Sequence, residues 1–261
     1  MVDPLLALLL IGLLVGLFCS LLGLGGGVLI VPILVVGLGL STHSAVSSSL
    51  VAVLATAASA SIEYARQKRI KFKLGLLTVV ATIPGAFIGA DISQYVSSKT
   101  FVTVFSLIVI ALGSIMLLGK EQSGDGGSSN AIRFSSYGWL NLLTSFSVFF
   151  CVGLVSGLLG IGGGILVIPI YGIFLRVGIY YAAATSMFTI LFTSLAALMR
   201  YYTLGYLLFE YALPITIGVV IGAQIGPRLN KMLNTLMLRR IFAITIIGIS
   251  IYMFITKFLL A

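Results

Sequence analysis

Residues 16–34 read GLFCSLLGLGGGVLIVPIL, with three consecutive glycines, Gly25, Gly26 and Gly27, and then Pro32 inside an otherwise apolar run. Relative to alanine, each glycine weakens a helix by about 1 kcal/mol and an interior proline by about 3. Residues 153–171, GLVSGLLGIGGGILVIPIY, repeat the pattern without a gap at an offset of 137, with 11 of 19 positions identical. A break made twice at matching positions is a retained feature of a duplicated unit.

The duplication extends beyond the break. HSAVSSSL (43–50) falls on YYAAATSM (180–187), Tyr64 falls on Tyr201, and PGAFIGAD (84–91) resembles IGVVIGAQ (217–224) at a slightly different offset. Between them, GKEQSGDGGSSNAIRFSSY (119–137) is rich in Gly and Ser and lacks apolar periodicity, as a flexible linker does. The expected organisation is a first transmembrane repeat at 1–118, a cytoplasmic Gly/Ser linker at 119–137 and a second transmembrane repeat at 138–261.

The chain has 261 residues, of which 60% are hydrophobic and 8% charged. One soluble core could not bury so much apolar side chain, whereas a bilayer accepts the outward faces of helices. The class is an all-α polytopic membrane protein of the cytoplasmic membrane. Apolar segments fall at 4–22, 28–40, 43–63, 74–90, 100–118, 138–159, 165–175, 179–199, 207–227 and 241–260. Helices over 28–40 and 165–175 would be only about 17–20 Å long, against a hydrocarbon core of about 30 Å. They read as half-helices or re-entrant pieces. MVDPLLALLL lacks a basic n-region and a cleavage site, so it reads as a retained first helix.

The net charge of +9 comes from short basic clusters between apolar runs. Such clusters set membrane topology, and no basic soluble domain is present to bind nucleic acid. RQKRIKFK (66–73) marks a cytoplasmic loop in the first half, whereas in the second half Arg228, Lys231, Arg239 and Arg240 lie one loop later, on the side of Arg176. The expectation is two inverted-topology repeats, each a broken, re-entrant Gly-rich hairpin plus three transmembrane helices. Both termini are then outside and the linker inside.

In lipid, an unwound segment must be buried in protein or face a water-filled cavity. A half-helix opening after GGG aims unpaired N–H groups and its positive dipole end at the break, where glycine lets an anion approach. The candidate substrate-binding residues are Gly25, Gly26, Gly27, Gly162, Gly163 and Gly164, with hydroxyls from Ser47, Ser48, Ser49, Thr185 and Ser186 at the start of the following helices. Close helix packing and hydroxyl back-bonding are the competing readings. Packing is the reading for Gly12/Gly16, Gly85/Gly89, Gly153/Gly157 and Gly218/Gly222.

No catalytic or metal site and no cofactor is expected. His43 is the only histidine and reads as interfacial. Cys19 and Cys151 have no metal-ligand spacing, and Glu63, Asp91, Arg200 and Glu210 sit at helix ends as anchors.

The paired L-L-G-[LI]-G-G-G-x-[LI]-x-[VI]-P-I segments, each followed by an A-x-[SA]-[ST]-S stretch, resemble the TauE/SafE family of sulfite exporters. The resemblance implies a permease for sulfite, sulfonates or related sulfur-containing anions. It departs in the first half, where AVSSS (45–49) stands against AAATS (182–186), so the Thr-Ser pair occurs only in the second. A probable-exporter reading with alternating access competes with an anion channel or a permease for another small organic anion. The expected partners are the anion and the lipid bilayer; homo-oligomerisation stays open.

Overall fold

The computed structural model describes residues 4–118, 139–173, 175, 177–229 and 235–256. The linker at 119–137, Arg176 and Lys231 lie outside the described residues. Among the described residues, ten α-helices follow in order: α1 (Pro4–Leu22), α2 (Gly27–Pro32), α3 (Thr42–Arg66), α4 (Phe72–Ser93), α5 (Ser98–Leu118), α6 (Trp139–Leu159), α7 (Gly164–Ile173), α8 (Ile179–Thr203), α9 (Phe209–Leu229) and α10 (Thr235–Phe254). The described residues contain no strand. Among the described residues, seven of the helices are long and apolar enough to cross a membrane, while Gly27–Gly37 and Thr144–Leu159 are shorter apolar helices.

Each apolar segment of the sequence corresponds to one helix, with two informative differences. The segment expected at 28–40 is α-helical only to Pro32 and continues as a π-helical turn over Ile33–Gly37. Pro32 has no N–H, and its ring clashes with the carbonyl of the preceding turn, which widens the coil at that point. The last helix begins at Thr235, ahead of the expected 241, so Arg239 and Arg240 are helical rather than in the loop. Arg239 reaches from α10 to donate to the Ile115 carbonyl at 3.4 Å near the end of α5, a long side chain extending its charged head along an apolar stem.

Glycine ridges decide how the helices pair. A Cβ on Gly12 or Gly16 of α1 would run into the carbonyls of Ile215 or Val219 of α9, and one on Gly218 or Gly222 would meet those of Leu9 or Leu13. With the halves exchanged, Gly85 and Gly89 of α4 abut the carbonyls of Phe150 and Leu154 of α6, and Gly153 and Gly157 abut those of Thr82 and Ala86. These backbones approach too closely for any side chain, as small-residue packing in membranes permits. In both pairs the residue numbers rise together, so α1 runs parallel to α9 and α6 parallel to α4.

The central helices follow the same rule. Ser48 and Ser59 of α3 bond the Leu208 and Val220 carbonyls in that order along the chain entering and forming α9. On α4, Thr82 meets Thr193 of α8 at 2.9 Å, and Asp91 farther on pairs with Arg200. Thus α3 runs with α9 and α4 with α8. The buried faces of α3 and α8 carry hydroxyls, among them Ser47, Ser49, Thr56, Thr185, Ser186, Thr189 and Thr193, whereas Leu76, Val80, Phe87, Leu213 and Ile217 of α4 and α9 are exposed, as lipid-facing side chains are.

Glu63 at the end of α3 accepts an ion pair from Arg228 of α9 at 3.3 Å. That contact brings the 66–73 cluster and Arg228 to one end of the bundle. At the same end Arg69 lies 5.2 Å over the Tyr180 ring and Lys71 5.2 Å over that of Tyr181.

Candidate functional site: two glycine tips that meet

Each Gly-rich break forms a turn between two helices, and the two turns touch. A Cβ on Gly27 would collide with the Gly160 carbonyl oxygen and lie 2.9 Å from Ile161 Cα; one on Gly164 would lie 2.7 Å from the Gly23 oxygen and 3.0 Å from Leu24 C. The tips are therefore interlocked backbone to backbone.

Gly25 and Gly26, with φ +82° and +102°, and Gly162 and Gly163, with φ +80° and +84°, occupy the left-handed region that glycine enters without steric cost. That conformation reverses the chain between α1 and α2, and between α6 and α7. Helical bonding resumes only when Leu29 and Ile30 donate to the Gly26 carbonyl, and Leu166 and Val167 to that of Gly163. Among the described residues, no backbone carbonyl accepts from the N–H groups of Gly25, Gly26, Gly27 and Val28, nor from those of Gly162, Gly163, Gly164 and Ile165.

All eight of these residues are buried. Unpaired N–H groups in such surroundings cost free energy unless a ligand or water accepts from them. Val53 of α3 and Ile190 of α8 lie over both turns. A Cβ on Gly25 would be 3.3 Å from Ile190 Cγ2 and 3.4 Å from Val53 Cγ1, and one on Gly162 would be 3.0 Å and 2.5 Å from the same atoms.

The candidate hydroxyls divide into two groups. Ser49 Oγ donates to the Gly160 carbonyl at 3.1 Å, and Ser186 Oγ donates to that of Gly23 at 2.7 Å. Each ties a central helix of one half to the tip of the other. Ser47 and Ser48 instead donate to the Tyr206 carbonyl at 2.7 Å and the Leu208 carbonyl at 3.3 Å, ahead of α9. Thr185 Oγ1 accepts from the Lys71 N–H at 3.1 Å, near the basic end.

Sequence reasoning missed Tyr64, Tyr201, Val53 and Ile190 among the residues at the tips. Tyr64 donates to the Ser20 carbonyl at 2.8 Å and Tyr201 to that of Leu158 at 3.2 Å, fastening each tip to its own half. Their alignment across the duplication was the available signal. Nothing in the apolar runs around Val53 and Ile190 marks them as the cover over the glycines. His43 stacks on Tyr206 with ring centroids 5.0 Å apart, away from the tips.

A family model described as "Sulfite exporter TauE/SafE" matches residues 8–253. The chain belongs to the TauE/SafE family. Among its relatives, the probable membrane transporter protein YunE of Bacillus subtilis is 30% identical over 230 residues, covering 81% of this chain and 83% of the relative. The probable membrane transporter protein MJ0441 of Methanocaldococcus jannaschii is 27% identical over 227 residues, covering 81% of both chains. No solved structure matches the chain. As a TauE/SafE protein with this succession of apolar helices, it is a multi-pass membrane transporter of the cell membrane.

Proposed function

We propose that this TauE/SafE protein moves sulfite, a sulfonate or a related sulfur-containing oxyanion across the membrane by alternating access, holding it between the two glycine tips. The observation that carries the reading is the pair of meeting tips, each with buried backbone N–H groups for which no backbone carbonyl is an acceptor. Helix N-termini and glycine-lined turns favour anions through the dipole and through close approach of the N–H groups. Neutral donors also let the anion leave again. Ser49 and Ser186 hold the tips in place rather than facing the anion, because their hydroxyls are already donated to tip carbonyls.

The repeats, 1–118 and 138–261 joined by the linker at 119–137, are inverted in this reading. Helices α3 and α4 turn back on one another through a short loop, and α4 runs with α8, so equivalent helices α3 and α8 run in opposite directions. Positively charged loops favour the cytoplasm, which puts the end bearing Glu63, Arg66 to Lys73 and Arg228 inside. Rocking of one hairpin-containing bundle against the other would uncover the tips on alternate sides. Val53 and Ile190 then serve as the cover that each motion displaces.

The test is transport of radiolabelled sulfite, sulfate, thiosulfate and sulfoacetate by proteoliposomes, with Gly26→Val and Gly163→Val beside the parent chain. Saturable transport abolished in both folded variants is expected. Undiminished transport in them would remove the tips as the site, and non-saturating single-channel currents would favour a channel.

A further inference from the structure

The two tips are related by the duplication, and one of the positions at which they differ exchanges a thiol for a hydroxyl. Position 19 of the first half is cysteine, and its counterpart in the second half is Ser156. Both side chains are fully buried. Ser156 Oγ would lie 3.3 Å from a Cβ on Gly163, and Cys19 Cβ would lie 3.9 Å from one on Gly26, so each faces the last left-handed glycine of its own turn.

Ser156 Oγ has no hydrogen-bond partner. Of the buried side-chain atoms left without one among the described residues, it alone adjoins a glycine tip. A helical serine ordinarily donates back to the preceding turn. Ser20, Ser49 and Ser186 all do so here. A buried hydroxyl without a partner is costly, so one placed beside Gly163, in a turn whose N–H groups have no backbone acceptor, marks a shared missing acceptor.

We infer that the anion is seated at the second tip, where the Ser156 hydroxyl and the N–H groups of Gly162, Gly163, Gly164 and Ile165 share its oxygens among them. The inference rests on the oxyanion reading above and makes that site asymmetric. Cys19 offers only a weak thiol donor at the matching place, so the first tip supplies packing and backbone dipole without the fifth donor. The chemical class selected is an anion with an exposed, charged oxygen small enough to enter a glycine turn.

Transport of labelled sulfite and sulfoacetate into proteoliposomes is measured as KM and Vmax for the parent chain, Ser156→Ala, Ser156→Cys, Cys19→Ala and Gly163→Val, with thermal unfolding of each in detergent. Ser156→Ala is expected to raise KM about tenfold, which is about 1.4 kcal/mol and near the lower bound for a hydrogen bond to a charged group. Its unfolding midpoint should be unchanged or higher, because a partnerless hydroxyl has been removed. Ser156→Cys should fall between Ala and the parent, and Cys19→Ala should keep the parent KM.

An unchanged KM in Ser156→Ala beside abolished transport in Gly163→Val overturns this inference while leaving the glycine site standing. A lowered midpoint with an unchanged KM overturns it equally, since that is the mark of a structural residue. Parental transport by folded Gly163→Val, or no transport of either anion by the parent chain, overturns the oxyanion reading and this inference together.

Discussion

Interlocking of the tips makes a prediction that separates contact from conformation. Gly27 and Gly164 do not carry the positive φ of their neighbours, so alanine is conformationally acceptable at both. What alanine meets includes backbone at both positions: the Gly160 oxygen and Ile161 Cα at 2.9 Å from position 27, and, beside the Ile190 side chain, the Gly23 oxygen at 2.7 Å from position 164. Ordinary contact begins near 3.4 Å, so the tips must separate by several tenths of an ångström or more. Overpacking of that kind costs about 1–3 kcal/mol. At about 2–4 °C per kcal/mol for a chain of this size, Gly27→Ala and Gly164→Ala should each lower the unfolding midpoint by roughly 2–12 °C. Transport should fall as well, because the donors of the two tips no longer converge. The double variant should lose less than the sum, since the first alanine has already opened the gap that the second needs. Gly248→Ala is the control: a Cβ there meets nothing within 4 Å, so the helix should gain about 0.5–1 kcal/mol. Thermal unfolding in detergent and proteoliposome uptake measure all four. Parental midpoints and uptake in both single variants would refute the interlock.

Other consequences can be checked separately. Ser49→Ala and Ser186→Ala each remove a bond to the opposite tip and should cost about 1 kcal/mol, read as a lower unfolding midpoint, with the effects matching between halves. Gly89→Leu drives a side chain into the Leu154 carbonyl and should prevent stable folding, read as loss of monodisperse protein on size exclusion. Cysteines placed at Lys68 and Arg228 should label from the same membrane face; labelling from opposite faces would remove the inverted arrangement.

Much of the fold was legible because periodicity, breaks and duplication are properties of the sequence alone. The ten apolar segments mark the helices, and the two Gly-Gly-Gly runs mark the turns. Position 235 was not legible as a helix start, because Arg239 and Arg240 read as loop until an acceptor in α5 is known. Nor could the sequence tell Ser49 from Ser47: both lie in one run of serines, and only the packing of α3 against the second tip turns one of them toward Gly160. Ser156 escaped notice for a related reason. A single hydroxyl in an apolar helix has no distinguishing pattern until its surroundings show that no carbonyl receives it.

The parallel pairing of α1 with α9 also constrains the order of assembly. Synthesis delivers the glycine ridge at Gly12 and Gly16 well before its partner at Gly218 and Gly222. Until then α1 has inserted beside lipid with its closest-packing face uncovered. Helix α1 is thus made well before it can be seated, so truncation before α9 leaves an early half whose hairpin has nowhere to dock.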